Sequence, residues 1–530
     1  MSIRDNCFEV NPGSVATAAV PLGVKIMRSV LFGGLRYVLI APIPFVMTPL
    51  IVHRIGVAGY GTWAVFLAIN GLTSLADLGL VGTLSKFVAD HHARRDFSAL
   101  SRLLNSGLTL FLLLDCVIAA VLWCGASVLA KRLFHGSAAA NSEVIFLLHC
   151  FVLVVAANIL TQLFSSITAG LQRLDLTNLV STANALLSAV FGGVLLLRGW
   201  GLRGLVYGYI ASGLITVTMH LILVRRLLPK VALNPLLFDA AEARKMFGYG
   251  LRLYVTQAAV VVHSQVEKVF LATMVGVSAA GWYDIGSDLA LKIRGCIGVV
   301  LSPVLPAASE LNALADESRM KELYFRAHKY LALCGVPAVC YAVSVSNRFV
   351  ELWLGPGMSM VVLPLNALLI TNFVNLTTGP GFLIFAGRGY LKPGIKSAGF
   401  GLILNFLLSL VLIYKFGFPG AVVGTSLSLI LASGYFVSMF HARTGYSLSR
   451  VLQESYLKPI ICSALLISVL TAIRSPNDLS WVGLGSMGIA FGLLYSAAIL
   501  LSNFFDDYDW SKLESVIPGA RHARRIFRIA

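Results

Sequence analysis

Residues 276–283 have the sequence GVSAAGWY. This stretch is a longer version of the predicted turn at residues 56–60, which has the sequence GVAGY. A second pair of stretches has nearly the same separation: Ser85, Ala89 and Arg95 align with Ser309, Ala313 and Arg319. The offset is 220 residues for the turn and 224 for the second pair. Self-similarity at a long, nearly constant offset indicates that the chain contains two copies of one structural unit.

The composition places both copies in a membrane. The chain has 530 residues, of which 57% are hydrophobic and 12% charged, whereas about a quarter of the residues of a soluble domain are charged. Apolar runs of roughly 20 residues, long enough to cross about 30 Å of hydrocarbon as helices, recur throughout. Fourteen spans are predicted: 29–52, 60–80, 106–129, 143–170, 178–198, 202–224, 249–274, 279–306, 330–347, 360–386, 393–414, 418–440, 458–473 and 481–502. The sequence therefore predicts an all-α polytopic membrane protein.

The basic residues give the orientation of the spans. With the amino terminus in the cytosol, inner loops and tails hold 28 of the 41 Lys and Arg residues, outer loops hold 8 and span interiors hold 5. Lys and Arg in short loops favour the cytosolic side, so both termini are predicted to lie there. The formal charge of +17 is thus a topology signal, and no nucleic-acid partner is expected.

The repeat and the span count together predict the architecture. Six spans separate the two copies, so spans one and seven run in the same direction, as in parallel repeats with a substrate site between two six-helix bundles. Spans thirteen and fourteen remain as an appendage. The predicted organisation is a cytosolic tail (1–28), an N-lobe (29–224), a cytosolic linker (225–248), a C-lobe (249–440), the two-helix appendage (441–502) and a basic cytosolic tail (503–530).

Catalytic signatures are missing from the sequence. It contains no HExxH and no GxSxG motif, and its cysteines and histidines have no metal-site spacing. Asn375-Leu-Thr377 matches a glycosylation acceptor but falls inside a predicted span, so we read it as a chance match. We therefore expect no enzyme, no catalytic residues, no metal and no cofactor, and an ion gradient or the membrane potential as the driving force.

Ionisable residues inside the spans are the candidate functional residues, because each costs about 2.5–3.5 kcal/mol at a helix centre. Five are basic and five are acidic: Arg36, Arg252, Lys268, Lys292, Arg294, Asp77, Asp115, Glu267, Asp284 and Asp288. Each of these side chains is therefore expected to have an ionic partner, contact with water or a functional role.

Helical spacing separates paired from unpaired charges, because residues four apart share a face. Asp284, Asp288 and Lys292 form one stripe on span eight, where the acids could serve a structural or gating role. His263 and Glu267 form a pair on span seven, with a lysine adjacent. This pair is either a relay for a coupling proton or cation, or a local polar pair in the bundle interior.

Arg36 and Arg294 have no acidic residue three or four positions away. One interpretation is an interhelical salt bridge, for instance to Asp77 or Asp115. The other is a guanidinium that faces a water-filled cavity, where its planar fork suits a phosphate or pyrophosphate. The sequence leaves both open.

Two groups of motifs resemble Wzx-type polysaccharide flippases. Leu75-Ala-Asp-Leu-Gly-Leu80 followed by Ser85-Lys-Phe-Val-Ala-Asp90 looks like the second helix of that family. The stretch Glu267-Lys-Val-Phe-Leu-Ala-Thr-Met-Val-Gly276, with Gly281-Trp-Tyr283 and Ser302-Pro-Val-Leu-Pro306, resembles its seventh and eighth helices. With the span count, the resemblance covers nearly the whole chain.

That family belongs to the multidrug/oligosaccharidyl-lipid/polysaccharide (MOP) exporter superfamily. The resemblance implies two lobes around a central cavity and alternating-access export of an undecaprenyl-pyrophosphate-linked oligosaccharide across the bacterial inner membrane. It also implies contact with membrane lipids and with polysaccharide polymerase or assembly proteins. Arg36, Lys292 and Arg294 fall on helices one and eight, which line such cavities, and are the predicted pyrophosphate-binding residues. Asp77 would be a structural or gating charge at the cytosolic mouth.

Three other functions remain open. A drug/cation antiporter of the same superfamily would need exposed cavity carboxylates such as Asp284 or Asp288. A lipid II flippase has a pyrophosphate-lipid cargo with similar demands. A membrane polysaccharide polymerase is less favoured, because the longest predicted outer loops have only about a dozen residues, too few to hold catalytic groups and sugar.

The topology is directly testable. Single cysteines placed after Asp90 and after Asp316, in loops 81–105 and 307–329, should react with a membrane-impermeant maleimide only after the cells are opened. Labelling of either position in intact cells would overturn the orientation.

Overall fold

The computed structural model describes residues 40–133, 138–229, 231, 234–473 and 475–516, and these residues form helices and connecting turns without strands. The first half contains α1 Pro42–Thr73, α2 Leu80–Ala93, α3 Phe97–Leu133, α4 Ala138–Gly170, α5 Leu174–Leu197 and α6 Gly201–Leu227. The second half contains α7 Ala240–Met274, α8 Val277–Gly298, α9 Val304–Ala313, α10 Glu317–Leu354, α11 Val362–Leu376, α12 Gly379–Gly387, α13 Lys392–Phe416 and α14 Phe418–Thr444. The last part contains α15 Leu448–Val451, α16 Lys458–Ile473, α17 Trp481–Leu501 and α18 Asp507–Val516, with a π-helical segment, Leu452–Leu457, between α15 and α16.

Twelve stretches of the described residues are long and apolar enough to cross a membrane. The predicted all-α polytopic fold is therefore confirmed. Residues 29–39 of the first predicted span, 29–52, lie outside the described residues, and the rest of that span lies almost entirely in α1. The seventh predicted span corresponds to α7, whose 35 residues are long enough to cross a membrane but are not among the twelve apolar stretches.

The internal repeat is visible in the backbone at a constant offset of 220 residues. Helix α2 is followed by Arg95 with φ 56°, and α9 by Ala315 with φ 52°. The next residues, Asp96 and Asp316, each accept a hydrogen bond from a backbone N–H three positions later, at 2.9 and 3.0 Å. The predicted offset of 224, which aligned Arg95 with Arg319, is therefore wrong by four residues. Because a helix face repeats after about four residues, the sequence match had slipped by one turn.

The two halves meet where equivalent glycines cross. Gly56 and Gly276, with φ 71° and 132°, interrupt the chain five residues before Gly61 and Gly281. A Cβ on Gly281 would lie 3.1 Å from the Gly61 Cα, and a Cβ on Gly61 would overlap the Val277 carbonyl oxygen. Gly61 and Gly281 are also 220 residues apart, so the same position of each repeat touches its counterpart. The backbones of α1 and α8 can approach this closely only because neither glycine carries a side chain.

Helix α7 joins the halves at the end that the topology prediction places in the cytosol. Its Gly250 lies against the backbone of Leu78 and Gly79, where a Cβ on either glycine would meet the other segment. Lys86 of α2 lies over the Tyr249 ring at 3.8 Å. Helices α16 and α17 pack instead on α10, outside this contact. The contact of α7 with α2 and the turn before it thus joins the second half to the first.

The glycine crossing predicts that a glycine-to-alanine substitution, which usually stabilises a helix, lowers the stability of this protein. Gly61→Ala should destabilise the protein by roughly 1–3 kcal/mol, because overpacking forces the backbones apart. Alanine otherwise favours a helix over glycine by about 1 kcal/mol. The matched control, Gly125→Ala in α3, adds a Cβ that meets nothing within 4 Å. Melting in detergent should fall for Gly61→Ala and not for Gly125→Ala, and equal melting temperatures would show that the crossing does not constrain the fold.

Candidate functional site

A cavity of about 420 Å³ lies inside the second half, between α8, α11, α13 and α14. Its wall carries hydroxyl and amide groups among apolar side chains, including Ser287, Asn372, Asn375, Thr425, Ser428 and Ser433. Arg294 is the charged residue of the wall, and none of the described residues that line the cavity is a carboxylate. Such a wall suits a ligand that has hydroxyl groups and an anionic group.

Arg294 reaches this cavity near the end of α8. Its Nη2 donates to the Asn375 Oδ1 at 2.9 Å, and the Asn375 Nδ2 donates to the Ser433 Oγ at 3.0 Å. The Arg294 Nε is buried and has no hydrogen-bond partner among the described residues. No described carboxylate lies within ion-pair distance of the guanidinium, so the salt bridge to Asp77 or Asp115 that the sequence left open is not formed here. A guanidinium has five N–H donors, and the bond from Nη2 to Asn375 is the one hydrogen bond of Arg294 with an acceptor among the described residues.

Lys292 does not join Arg294, although the sequence grouped the two. They are two residues apart on α8 and so lie on different faces of the helix. Lys292 forms an ion pair with Asp288, as its spacing predicted. It is not among the residues that line the cavity. Arg36, the third predicted cation, lies outside the described residues.

Asp284 was predicted to share a helix face with Asp288 and Lys292, but its partners lie on other helices. Its Oδ1 pairs with the Lys268 Nζ at 2.5 Å, and its Oδ2 accepts a hydrogen bond from the Tyr60 hydroxyl at 2.9 Å. All three side chains are largely buried. Because Tyr60 belongs to α1, this group connects the two halves close to the glycine crossing.

Glu267 lies beside the cavity, separated from it by one hydroxyl group. The glutamate is 1% exposed, and its Oε1 lies 3.3 Å from the Thr425 Oγ1, whose single O–H is shared with the Ala421 carbonyl oxygen at 3.0 Å. Thr425 also hydrogen bonds with the Tyr283 hydroxyl at 2.9 Å, and both hydroxyl residues line the cavity. The Glu267 Oε2 is buried without a hydrogen bond among the described residues. The side chain of His263, its predicted partner, lies outside the described part of the chain.

Asp77 occupies a break in the second predicted span. Helix α1 ends at Thr73, a 3₁₀ turn covers Ser74–Asp77, and Leu78 and Gly79 take left-handed conformations before α2 begins. The Asp77 Oδ1 accepts from the Gly79 N–H at 2.9 Å. The second predicted span, 60–80, thus leaves the α-helical conformation at Thr73, and the Asp77 carboxylate satisfies a backbone group that this break leaves free.

Two partners were missed at the sequence level. Asn375 was dismissed as part of a chance motif, yet it orients Arg294. The Lys268–Asp284 pair could have been found, because Lys268 precedes Gly276 by eight residues and Asp284 follows it by eight. In two antiparallel helices joined by a tight turn, residues equidistant from the turn face each other. No group of three or more metal-ligand side chains occurs in the described part of the chain.

Comparisons with known proteins agree with this architecture. A family model described as "Polysaccharide biosynthesis protein" matches residues 26–312. A protein of Shigella flexneri named "Putative O-antigen transporter" is 19% identical over 378 residues, which cover 71% of this chain and 88% of that protein.

Two solved structures share the fold. The lipid II flippase MurJ in an inward closed conformation has a TM-score of 0.68 at 15% identity and covers 89% of this chain and 98% of its own. An inward-facing multidrug resistance MATE family transporter of the MOP superfamily has a TM-score of 0.63 at 15% identity and covers 79% and 98%.

Proposed function

Because the model of the polysaccharide biosynthesis protein family covers more than half of the chain, the chain belongs to that family. We propose that it is a flippase. Its cargo is a polyprenyl-pyrophosphate-linked oligosaccharide, which it moves across the bacterial inner membrane by alternating access. The curated relative named as an O-antigen transporter supports this cargo class. The expectation that the chain is not an enzyme agrees with the transporters and flippase among its matches.

The cavity around Arg294 is the observation that carries the proposal. A single guanidinium with free donors can bind a pyrophosphate through charge-assisted hydrogen bonds. The neighbouring amides and hydroxyls, such as Asn372 and Ser433, can exchange hydrogen bonds with sugar hydroxyls. Arg36 and Lys292 are further anion-binding residues in this proposal, acting in conformations that bring them to the cargo.

A drug/cation antiporter is less well supported. Its cationic cargo would need a free carboxylate on the cavity wall. Asp284 and Asp288, the acids that the sequence offered, are both ion-paired, and neither lines the cavity. A lipid II flippase shares the pyrophosphate requirement, so the sugar that is transported, rather than the Arg294 site, distinguishes that alternative.

Glu267 is proposed as the coupling residue. A buried carboxylate with one oxygen free can bind a proton or a cation, and its charge then changes by one. Thr425 and Tyr283 connect this carboxylate to the cargo cavity. Occupancy of the cavity and the charge state of Glu267 are thereby linked through two hydroxyl groups. An ion gradient or the membrane potential drives transport in this proposal, with His263 as a second titratable group on α7.

The Arg294 assignment is tested by substitution. Arg294→Ala should abolish polysaccharide export, because losing charge-assisted hydrogen bonds of about 1.5–3 kcal/mol weakens binding roughly 10- to 100-fold. Arg294→Lys keeps the charge but loses the planar fork, so it should retain part of the export. Arg203→Ala, which removes an exposed arginine paired with Glu143, is the matched control and should export normally.

Complementation of an export-deficient strain gives the activity, and melting in detergent gives the stability. A purely structural role would lower the melting temperature of Arg294→Ala, and the double variant with Asn375→Leu would restore both melting and export. Normal export by Arg294→Ala would refute the anion site.

Coupling is tested by Glu267→Gln. This variant should lose gradient-driven transport while protein level and cargo binding persist, because the amide neither binds a proton nor carries a charge. Asp115→Asn is the control, since it neutralises another intramembrane carboxylate that has no ion pair among the described residues. Gradient-driven transport at the wild-type rate in Glu267→Gln would leave Glu267 a structural role alone.

A further inference from the structure

A second cavity, of about 440 Å³, forms a lateral groove on the outside of the second half. Helices α11 and α14 form one wall, and α15, α16 and the π-helical segment between them form the other. Helix α10 packs against both walls and forms the floor. The rim residues Ile370, Leu452 and Ile460 are 48%, 53% and 48% exposed. The groove therefore opens sideways, toward the acyl region of the bilayer.

One end of the groove is polar. Two hydrogen-bonded tyrosine–histidine pairs lie there: Tyr324 with His441, and Tyr456 with His328. The His441 Nδ1 donates to the Tyr446 carbonyl oxygen at 2.6 Å, so its Nε2 accepts from the Tyr324 hydroxyl at 3.1 Å. Both nitrogens of His441 are thus satisfied within the protein.

His328 has one nitrogen without a partner. The residue is 4% exposed, and its Nδ1 lies 2.9 Å from the Tyr456 hydroxyl. Its Nε2 is buried on the groove wall and has no hydrogen bond among the described residues. A neutral imidazole has one donor and one acceptor, so the Nε2–H is a donor in the tautomer whose Nδ1 accepts from Tyr456. A buried donor of this kind needs an acceptor from a ligand.

Two cations lie beyond the polar end. Lys321 precedes His328 by two helical turns of α10, about 10 Å along the axis, and Arg443 is in the last turn of α14. Both are exposed and form no ion pair with a described residue. Lys321 lies over the Tyr446 ring at 6.0 Å and Arg443 over the Tyr390 ring at 4.6 Å. From the bilayer interior outward, the apolar wall of the groove is followed by a hydrogen-bond donor, and two cations that do not line the groove lie beyond that end.

We propose that this groove binds one glycerophospholipid of the cytosolic leaflet. An acyl chain lies along the apolar wall formed by Val336, Val339 and Val374, an ester carbonyl oxygen accepts from the His328 Nε2, and the phosphate lies near Lys321 and Arg443. A polyprenyl phosphate fits this order less well, because its phosphate joins the apolar chain directly and leaves no acceptor at the depth of His328. The bound lipid contacts both α10 and the π-helical segment, so it stabilises the attachment of the appendage. This site is independent of the transported cargo.

Photocrosslinking tests the proposal. Full-length protein in nanodiscs receives a trace of phosphatidylglycerol with a diazirine at the end of one acyl chain, and mass spectrometry maps the adducts. Adducts on the groove-facing peptides of α10 and α11 should exceed those around Val121, a lipid-facing residue of α3, by several-fold. His328→Phe should remove most of this excess. Tyr456→Phe, which removes the neighbouring hydroxyl but keeps the His328 Nε2, should retain it.

A variant that fills the groove tests the proposal without changing the residues of its polar end. Val374→Trp should abolish the excess labelling while the protein still accumulates and elutes as a single folded species. Labelling of the groove equal to that around Val121 would show that only bulk lipid contacts this surface. Displacement of the probe by equimolar polyprenyl phosphate, but not by unlabelled phosphatidylglycerol, would assign the groove to a polyprenyl chain and overturn the phospholipid assignment.

Discussion

The close crossing of Gly61 and Gly281 is the constraint on which the other inter-half contacts depend. Without side chains at these positions, the backbones of α1 and α8 meet, and Tyr60 comes within hydrogen-bond distance of Asp284. Since the two glycines are equivalent positions of the repeat, the contact lies on the pseudo-symmetry axis between the halves. A contact on this axis can act as a pivot, because rotation of one half against the other moves the ends of the helices more than the crossing itself.

The intramembrane charges divide into two groups around this crossing. Lys268 of α7 forms an ion pair with Asp284 of α8, and Lys292 forms one with Asp288 within α8. Arg294 and Glu267 have no ionic partner among the described residues, and both lie at or beside the same cavity. A protein tolerates such groups in a membrane when they have a function, since an unpaired charge there is costly. The division therefore separates charges that are paired in this structure from Arg294 and Glu267, which are proposed to bind the cargo and the coupling ion.

The hydroxyl groups of Tyr283 and Thr425 give the proposed coupling a physical route. Thr425 contacts Glu267 and also lines the Arg294 cavity, so in the proposed mechanism protonation or cation binding at the carboxylate alters the donors available to the cargo. The polar end of the groove on α10 does not include Tyr283 or Thr425. Two other residues, Thr378 and Phe436, line both the groove and the Arg294 cavity. The proposed lipid would thus lie against the back of the wall of the proposed cargo cavity.

The sequence by itself determined the fold class, the repeat and the ion pair within one helix, because hydropathy and helical periodicity are local properties. It also identified Arg294 and Glu267 as charges in need of a function. Only the tertiary structure decided their surroundings. The Asn375 partner of Arg294, the Tyr60 and Lys268 partners of Asp284, and the separation of Lys292 from Arg294 depend on which helix faces are in contact. Helical spacing reports neighbours on one helix, but contacts between helices follow from close packing at small residues such as Gly61, which carry no charge or hydropathy signal of their own.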